Sequence, residues 1–219
     1  MSLVQTRARP SRTHFHKTYC LSDLLDPIEQ IRLRVDQIQT LSAQFSLIPE
    51  VEFQWTDSSL IYRQAKVRRR DSRSISLESR RTVVQQLAED LDQLTETGFV
   101  HGDINRKNVI YDGERFHLVD LEPSLRRIKH GRPTLMYTPP YISLNDLKQD
   151  QLSQETDKIG FYFLAMKTLN PDFQLRDVRQ LMQRRLSEGI DLLPVAENDF
   201  VDWSYLQIFY YISNYQLAN

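Results

Sequence analysis

Residues 99–124 constrain the fold more than any other part of the chain, because two short apolar runs flank an Asp-Gly dipeptide there. The runs cover 108–111 and 116–119, and both are rich in residues that favour strands. Asp112-Gly113 between them is a strong signal for a tight turn between antiparallel strands. The pattern therefore predicts a β-hairpin, with Asp120 directly after its second strand.

Three polar residues flank the strands of this predicted hairpin, namely Asp103, Asn108 and Asp120. The hairpin is expected to bring them to one end of a small sheet, where two carboxylates and an amide form an oxygen-rich site. Mg²⁺ suits such a site, because that ion is usually held by one or two carboxylates together with substrate phosphates. The alternative interpretation is a surface hairpin with incidental acidic residues.

Composition limits the class of protein. The 219 residues suffice for one large domain or a domain with a small lobe. Lys+Arg 28 against Asp+Glu 29 gives a net charge of −1, so no global field attracts nucleic acid. The single cysteine, Cys20, excludes an internal disulfide framework and favours a reducing compartment. No stretch approaches the roughly 18 apolar residues of a membrane span, and no secretory segment is evident. We expect a cytoplasmic α+β protein that binds neither nucleic acid nor a membrane.

The N-terminal third is expected to begin with a flexible basic arm, residues 1–13. Alternation over 14–20 then predicts a strand with Phe15, Lys17 and Tyr19 on one face. Two further strands are predicted at 51–55 and 60–67, around a polar turn. His14, His16 and Cys20 lack an evident fourth ligand, so a zinc site is disfavoured.

A helix is predicted between the first two strands, because Asp26 suits an N-cap, Pro27 the first helical position and Glu29 a capping box. Its apolar stripe follows spacings of three and four and extends to about residue 43: Ile28, Ile31, Val35, Ile38 and Leu41. A second amphipathic helix is predicted at 77–97, with Gly98 at its C′ position. Its apolar stripe consists of Leu77, Val84, Leu87, Leu91 and Leu94. Residues 156–169 are apolar on almost every face, which predicts a buried helix. Two more helices are expected at 174–189 and 199–217.

Together these residues resemble the protein-kinase-like superfamily. His101-Gly102-Asp103 followed by Asn108 matches the catalytic loop, and Val119-Asp120-Leu121-Glu122 stands where the Asp-Phe-Gly segment lies. The long helix directly before the loop is also as in the kinase large lobe. The resemblance implies a protein-kinase-like two-lobed α+β fold, with a reduced N-terminal β lobe at 14–67. A hinge or linker at 68–76 and a mainly helical C-terminal lobe at 77–219 would follow.

The resemblance also implies roles for individual residues, with ATP and Mg²⁺ as cofactors. Asp103 is similar to the catalytic base, and Asn108 and Asp120 to the ligands of the metal that bridges the nucleotide phosphates. Lys17 corresponds to the phosphate-pairing lysine, although an ordinary edge-strand lysine is the alternative. Its acidic partner would be Glu29, with Asp36 as a substitute and helix capping as the competing explanation for Glu29. The backbone near Val67 would meet the adenine, and Asp157 would tie the buried helix to the catalytic loop.

The chain departs from the protein-kinase pattern at several positions. Asn105 stands where most protein kinases have a lysine, and Gly102 replaces arginine, as in small-molecule and atypical kinases. Leu121-Glu122 replaces Phe-Gly, and no glycine precedes Gly98, so the glycine-rich loop is missing. Thr138 begins a segment that partly resembles the one that seats the substrate hydroxyl. The basic run 126–132 either binds an acidic or phosphorylated substrate or is a solvated loop.

These observations lead to three hypotheses about function. The first is an ATP-Mg²⁺-dependent phosphotransferase that moves the γ-phosphoryl group to a hydroxyl, resembling an atypical or bacterial Ser/Thr protein kinase. The second is a small-molecule phosphotransferase similar to aminoglycoside or choline kinases. The third is a pseudokinase that binds without efficient turnover. The nucleotide is the expected partner, and the acceptor, protein or small molecule, and the oligomeric state are left open.

Overall fold

The fold was obtained as a computed structural model, which describes residues 13–129, 132–138, 141–170, 173, 187 and 202–215. The chain divides into two compact units: Met1–Arg68 with His117–Met136, and Arg69–Phe116 with Tyr137–Asn219. The sequence analysis placed residues 117–136 with the C-terminal lobe, whereas their contacts place them in the first unit. The arm expected at 1–13 lies outside the described residues except for Thr13, as does the helix expected at 174–189 except for Ser187.

The first unit contains a three-stranded antiparallel sheet of β1 (His14–Cys20), β2 (Val51–Trp55) and β3 (Ser59–Ala65), in the order β1-β3-β2. Its central strand pairs with β1 along seven residues, from Ser59 opposite Cys20 to Ala65 opposite His14. The predicted bounds of β1 and β2 are confirmed. β3 ends at Ala65, so Val67 lies beyond the strand in which it was expected.

Helix α1 (Ile28–Gln44) packs beside β2 and buries one apolar stripe: Ile31, Val35, Ile38 and Leu41. The predicted N-cap is wrong. Pro27 occupies that position, and its carbonyl accepts from the amide of Ile31 at 3.0 Å. The carboxylate of Asp26 instead accepts from the hydroxyl of Ser124 at 2.6 Å and from the amide of Leu125 at 3.2 Å. A tertiary contact has therefore replaced local capping, and Ile28 is 39% exposed rather than buried.

Helix α2 (Leu77–Glu96) belongs to the second unit and begins at Ser76, whose hydroxyl accepts from the amide of Ser79 at 3.0 Å. Its predicted stripe is buried except at the first position, where Leu77 is 40% exposed. Gly98 follows the helix with φ +73°, a conformation that side chains disfavour, which explains a glycine at this C′ position.

Strands β4 (Val109–Tyr111) and β5 (Phe116–Leu118) form the predicted hairpin. Its turn has Gly113 at φ +120°, and the amide of Asp112 donates to the carbonyl of Arg115 at 3.1 Å. Both strands are short and alternate between buried and half-buried residues. The hairpin prediction is confirmed, with strands one residue shorter than expected.

A second hairpin lies in the first unit and consists of β6 (Arg126–Lys129) and β7 (Arg132–Leu135). The solvated loop considered for the basic run is therefore wrong. Two further backbone hydrogen bonds hold this hairpin in place. The amide of Leu25 donates to the carbonyl of Arg126 at 3.1 Å, and the amide of Met136 donates to the carbonyl of Leu125 at 2.8 Å. A run of basic residues gives little indication of such backbone pairing, because charged side chains occur in strands mainly at exposed sheet edges.

The second unit also contains α3 (Leu144–Gln149), α4 (Gln154–Leu169) and α5 (Tyr205–Tyr215). Almost every residue of α4 is buried, as predicted, and it packs against α2 and α5, where the rings of Phe161 and Tyr205 lie 5.3 Å apart. The short α3 was not expected from the sequence. In the described part of the chain, no helix is long and apolar enough to cross a bilayer.

Candidate active site

The loop from His101 to Lys107 is anchored to α4 by a buried carboxylate. Asp157, in the first turn of α4, accepts from the amide of His101 at 2.6 Å and from the amide of Gly102 at 2.7 Å. Asp157 is only 3% exposed, so both hydrogen bonds are shielded from water. Because the acceptor is a carboxylate, both are of the stronger, charge-assisted kind. The predicted role of Asp157 as the link between helix and loop is confirmed.

Gly160 lies one helical turn after Asp157, on the same face of α4. A Cβ atom at this position would be 2.3 Å from the carbonyl oxygen of Ile104, far inside van der Waals contact. Only glycine therefore allows the loop to approach the helix this closely. Because Ile104 directly follows Asp103, the same contact also sets the distance between Asp103 and α4.

The carboxylate of Asp103 is oriented by three donors. Its Oδ1 accepts from the amide of Thr138 at 2.9 Å and from Nδ2 of Asn105 at 2.8 Å. Its Oδ2 accepts from Nδ2 of Asn108 at 2.9 Å. A carboxylate held on both oxygens has little rotational freedom, which is the condition for a positioned proton acceptor.

Asn105 occupies the place of the kinase lysine and has a structural task of its own. Besides holding Asp103, its Nδ2 lies 3.3 Å from the hydroxyl of Thr138, and its Oδ1 accepts from the amide of Lys107 at 2.8 Å. The side chain is 5% exposed and neutral, so it orients the loop without supplying a positive charge. The sequence flagged this position as a departure but gave no sign of these contacts.

Asn108 is brought next to Asp103, as the sequence predicted. Its Nδ2 donates to the backbone carbonyl of Asp103 as well as to the carboxylate, both at 2.9 Å. With the NH₂ group turned toward Asp103, the amide oxygen is the atom left to bind a cation. That oxygen is a suitable ligand for a hard divalent ion.

Asp120 lies in the first unit, in a backbone conformation with φ +66°. Aspartate tolerates this left-handed region better than most residues, and such outliers concentrate at functional sites. Its amide donates to Oε1 of Gln64 at 3.1 Å, and its carboxylate forms an ion pair with Lys17. The structure therefore places Asp120 beside the lysine that the sequence analysis proposed for the nucleotide phosphates.

Lys17 also binds Glu122, with 2.8 Å between Nζ and Oε1. Burial lowers the pKa of Lys17, but the carboxylates of Glu122 and Asp120 outweigh it and raise the pKa above its usual value. Burial, followed by the charges of the same two carboxylates, raises the pKa of Tyr19 well above its ordinary range. Because its own pKa is raised, Lys17 stays positively charged at any physiological pH.

The expected pairing of Lys17 with Glu29 is not the one that the structure contains. Lys17 lies between Asp120 and Glu122, while Glu29 and its substitute Asp36 are exposed on α1. Helix α1 reaches this segment through Arg34, whose Nε donates to the carbonyl of Glu122 at 2.7 Å. Glu122 was noted in the sequence only as a replacement for the glycine of Asp-Phe-Gly, and its pairing with a residue 105 positions away had no local signal.

The remaining site predictions concern the adenine and the metal. Val67 is half-buried after β3, and its contact with adenine stays a prediction. Among the residues that the structure describes, no group of three or more His, Cys, Asp or Glu side chains could hold a metal ion. Asn108 belongs to the second unit and Asp120 to the first, so their convergence on one Mg²⁺ also stays a prediction.

The arrangement described above can be compared with known proteins. The structure is similar to that of the kinase PK-1 of Cydia pomonella granulovirus, with a TM-score of 0.56 over 88% of this chain and 85% of that chain. The chain has the protein-kinase-like fold. The two sequences are only 15% identical, so this likeness concerns the fold alone. A search of curated protein sequences gives no match.

A sequence-family comparison supports the kinase-like assignment. Residues 23–125, a little under half of the chain, match the model of a phosphotransferase enzyme family. The matched range includes Asp103, Asn108 and Asp120. The predicted α+β kinase-like fold is confirmed, and the combined comparisons support a kinase-like phosphotransferase.

Proposed function

We propose that the protein transfers the γ-phosphoryl group of ATP to a hydroxyl group in a Mg²⁺-dependent reaction. The observation that carries this proposal is the carboxylate of Asp103, which Asn105, Asn108 and the amide of Thr138 hold on both oxygens. Phosphoryl transfer depends mainly on positioning and on charge stabilisation, so a fixed base on an anchored loop is its central requirement.

In this proposal Asp103 accepts the proton of the attacking hydroxyl as the bond to phosphorus forms. The oxygens of Asn108 and Asp120 would hold Mg²⁺, which neutralises charge on the β- and γ-phosphates when bound. The fit is chemical, since one carboxylate and one amide leave the remaining coordination positions to phosphate oxygens and water.

Lys17 would pair with the nucleotide phosphates. Its ammonium is held in place by Asp120 and Glu122, and the raised pKa keeps it positively charged. Glu122 thereby takes over the orienting task that the sequence analysis assigned to Glu29. The backbone near Val67 is the proposed contact for the adenine.

A Ser or Thr hydroxyl of a protein is the first acceptor that we propose. The segment beginning at Thr138 supports it, because the Thr138 amide binds the carboxylate of Asp103 directly. A small-molecule acceptor is the second, favoured by Gly102, by Glu122 and by the match to a phosphotransferase enzyme family. A pseudokinase would retain the fold and lose turnover.

The test is transfer from radiolabelled ATP, with and without Mg²⁺, in three proteins: wild type, Asp103→Asn and the control Asp57→Asn. Asp57 is an exposed acid in the turn between β2 and β3. We expect metal-dependent transfer in wild type and control and its loss in Asp103→Asn. Saturation with ATP at about a hundred times Kd should stabilise wild type by about 2.7 kcal/mol. Equal background signals in all three proteins would refute the enzyme and leave the pseudokinase.

A further inference from the structure

A cavity of about 280 Å³ lies within the second unit, beside the loop that carries Asp103. Four arginines line it, three from the segment before α2 and one from the loop itself: Arg69, Arg70, Arg73 and Arg106. Among the described residues of this lining, Asp71 is the one acidic side chain, so these residues carry an excess of three positive charges. The whole chain has a net charge of −1, and the cavity is therefore a local concentration of positive charge.

Two of the four arginines already have partners that fix their positions. Arg73 pairs with Asp71 at 2.8 Å, and its hydrogen bonds lower the pKa of Asp71 to about 2. The guanidinium of Arg69 donates to the carbonyls of Arg106 and Lys107 at 2.8 and 3.0 Å. These carbonyl contacts link the segment of Arg69 to the loop, and no acidic side chain of the described residues pairs with its guanidinium.

The guanidinium groups of Arg70 and Arg106 are the available donors. Within the described ranges neither donates to a side chain or carbonyl, although the backbone amide of Arg70 is tied to the carbonyl of Tyr111 at 2.7 Å. Each planar guanidinium group can bind two oxygens of a phosphate or carboxylate, so two of them at one cavity supply donors for an oxyanion.

Apart from Ser72 and Thr168, the rest of the described lining is apolar. It consists of Val109, Tyr111, Phe116 and Leu164, all of them buried. The rings of Tyr111 and Phe116 lie 5.5 Å apart, and the hydroxyl of Tyr111 is used by the carbonyl of Gly113 at 2.6 Å. An occupant of this cavity would therefore meet both apolar surface and positive charge.

We propose that this cavity recognises the acceptor of the phosphotransferase, and that the acceptor carries a phosphate or carboxylate group on a small apolar body. The proposal rests on the proposed function, since it assigns a substrate class to that reaction. Arg106 is three residues from Asp103, so their Cα atoms are at most about 11 Å apart. An acceptor of modest length can thus place its anion on Arg106 and its hydroxyl near Asp103.

The first experiment measures binding alone, by isothermal titration with phenyl phosphate and with phenol as its uncharged counterpart. The proteins are wild type, Arg70→Gln, Arg106→Gln and the control Arg68→Gln, whose exposed arginine does not line the cavity. We expect phenyl phosphate to bind wild type and control equally, and each cavity variant about tenfold more weakly. Phenol should bind more weakly than phenyl phosphate by a similar factor.

Three results would overturn the cavity assignment: no binding to wild type, equal affinity in all four proteins, or displacement by Mg·ATP without any effect of the arginine substitutions. Thermal melting of each variant shows that the fold is intact. The titration is then repeated with phosphotyrosine inside a short neutral peptide. This comparison shows whether the cavity binds a phosphate on a free small molecule, on a peptide, or on both. Binding of phenyl phosphate alone assigns a free small molecule, and binding of both assigns the peptide as well.

The second experiment uses 4-(hydroxymethyl)phenyl phosphate as the acceptor of labelled phosphate from ATP. Arg106→Gln should raise its KM about tenfold with little change in kcat, because the arginine binds a part of the acceptor that does not react. An unchanged KM contradicts acceptor recognition. If phenyl phosphate binds but no transfer from ATP occurs to any acceptor, the proposed function fails. If transfer occurs and the anion does not bind, the cavity assignment fails alone.

Discussion

Replacing Gly160 by alanine should push the catalytic loop away from α4. The added Cβ would lie 2.3 Å from the carbonyl oxygen of Ile104 and 3.0 Å from its Cβ. Ordinary contacts of this kind are about 3.5 Å, so the loop or the helix must move by roughly 1 Å. Overpacking of this size costs about 1–3 kcal/mol, against a gain of about 1 kcal/mol from the better helix propensity of alanine. We expect a net loss of about 0–2 kcal/mol.

The effect on activity should exceed the effect on stability, because Asp103 precedes Ile104 and moves with it. A displacement of about 1 Å at a catalytic group can reduce the rate by about a hundredfold. Urea unfolding gives the free energy, and transfer from labelled ATP gives the rate. The matched control is Gly98→Ala, where no atom lies within 4 Å of the new Cβ but φ is +73°. It should cost about 1 kcal/mol and leave activity unchanged. A Gly160→Ala protein as stable and as active as wild type would refute this account of the loop.

Three further predictions concern charged groups. Asp157→Asn should cost about 2–4 kcal/mol of unfolding free energy in urea, since two buried charge-assisted hydrogen bonds depend on that carboxylate. Asp71 should titrate near pH 2 by NMR, and Arg73→Gln should return its pKa toward 3.8. The folded pKa of Asp71 is lowered, so its small contribution to stability is present above pH 3.8 and is lost as the pH falls through about 2. Lys17→Met should cost about 1–3 kcal/mol and weaken binding of Mg·ATP, because Asp120 loses its ammonium partner and Glu122 keeps only the more distant Arg127, at 3.9 Å.

Each of these predictions has a contradicting result. Unchanged unfolding of Asp157→Asn would show that the loop is not anchored by its carboxylate. An unaltered pKa of Asp71 in Arg73→Gln would remove Arg73 as the cause of the shift. For Lys17, adding Glu122→Gln to Lys17→Met should recover part of the lost stability, and no recovery would contradict the charge argument. Because the folded pKa of Lys17 is raised, its contribution is present below pH 10.5 and is lost only at higher pH.

The elements that were predictable are those with strong local signals. Alternation predicted β1 to the residue, and the polar turn after residue 55 helped to predict β2. The Asp-Gly turn predicted the β4–β5 hairpin, and the apolar stripe of α2 predicted that helix. The six residues of α3 are too few for a periodic pattern to emerge. The hairpin of β6 and β7 was missed because its pairing depends on backbone contacts with a distant turn.

In the candidate site, too, contacts between residues close in sequence were predictable and contacts between distant residues were not. Asp103 and Asn108 are five residues apart in one loop, so their spacing was sufficient to predict their contact. The partner of Lys17 was not predictable, because Glu122 is far away in sequence and an early helix offered Glu29 as a nearer acid. Asp26 shows the same limit, since its capping role was plausible locally and a tertiary contact with Ser124 took precedence.

The most direct test of the central claim is a double-mutant cycle on the affinity for Mg·ATP. The four proteins are wild type, Asn108→Ala, Asp120→Asn and the double variant, measured by titration with and without Mg²⁺. If both side chains hold one metal ion, each single change should weaken metal-dependent binding at least about tenfold, and the double variant should be little worse than the weaker single. Losses that simply multiply in the double variant, or that are the same without Mg²⁺, would contradict the claim.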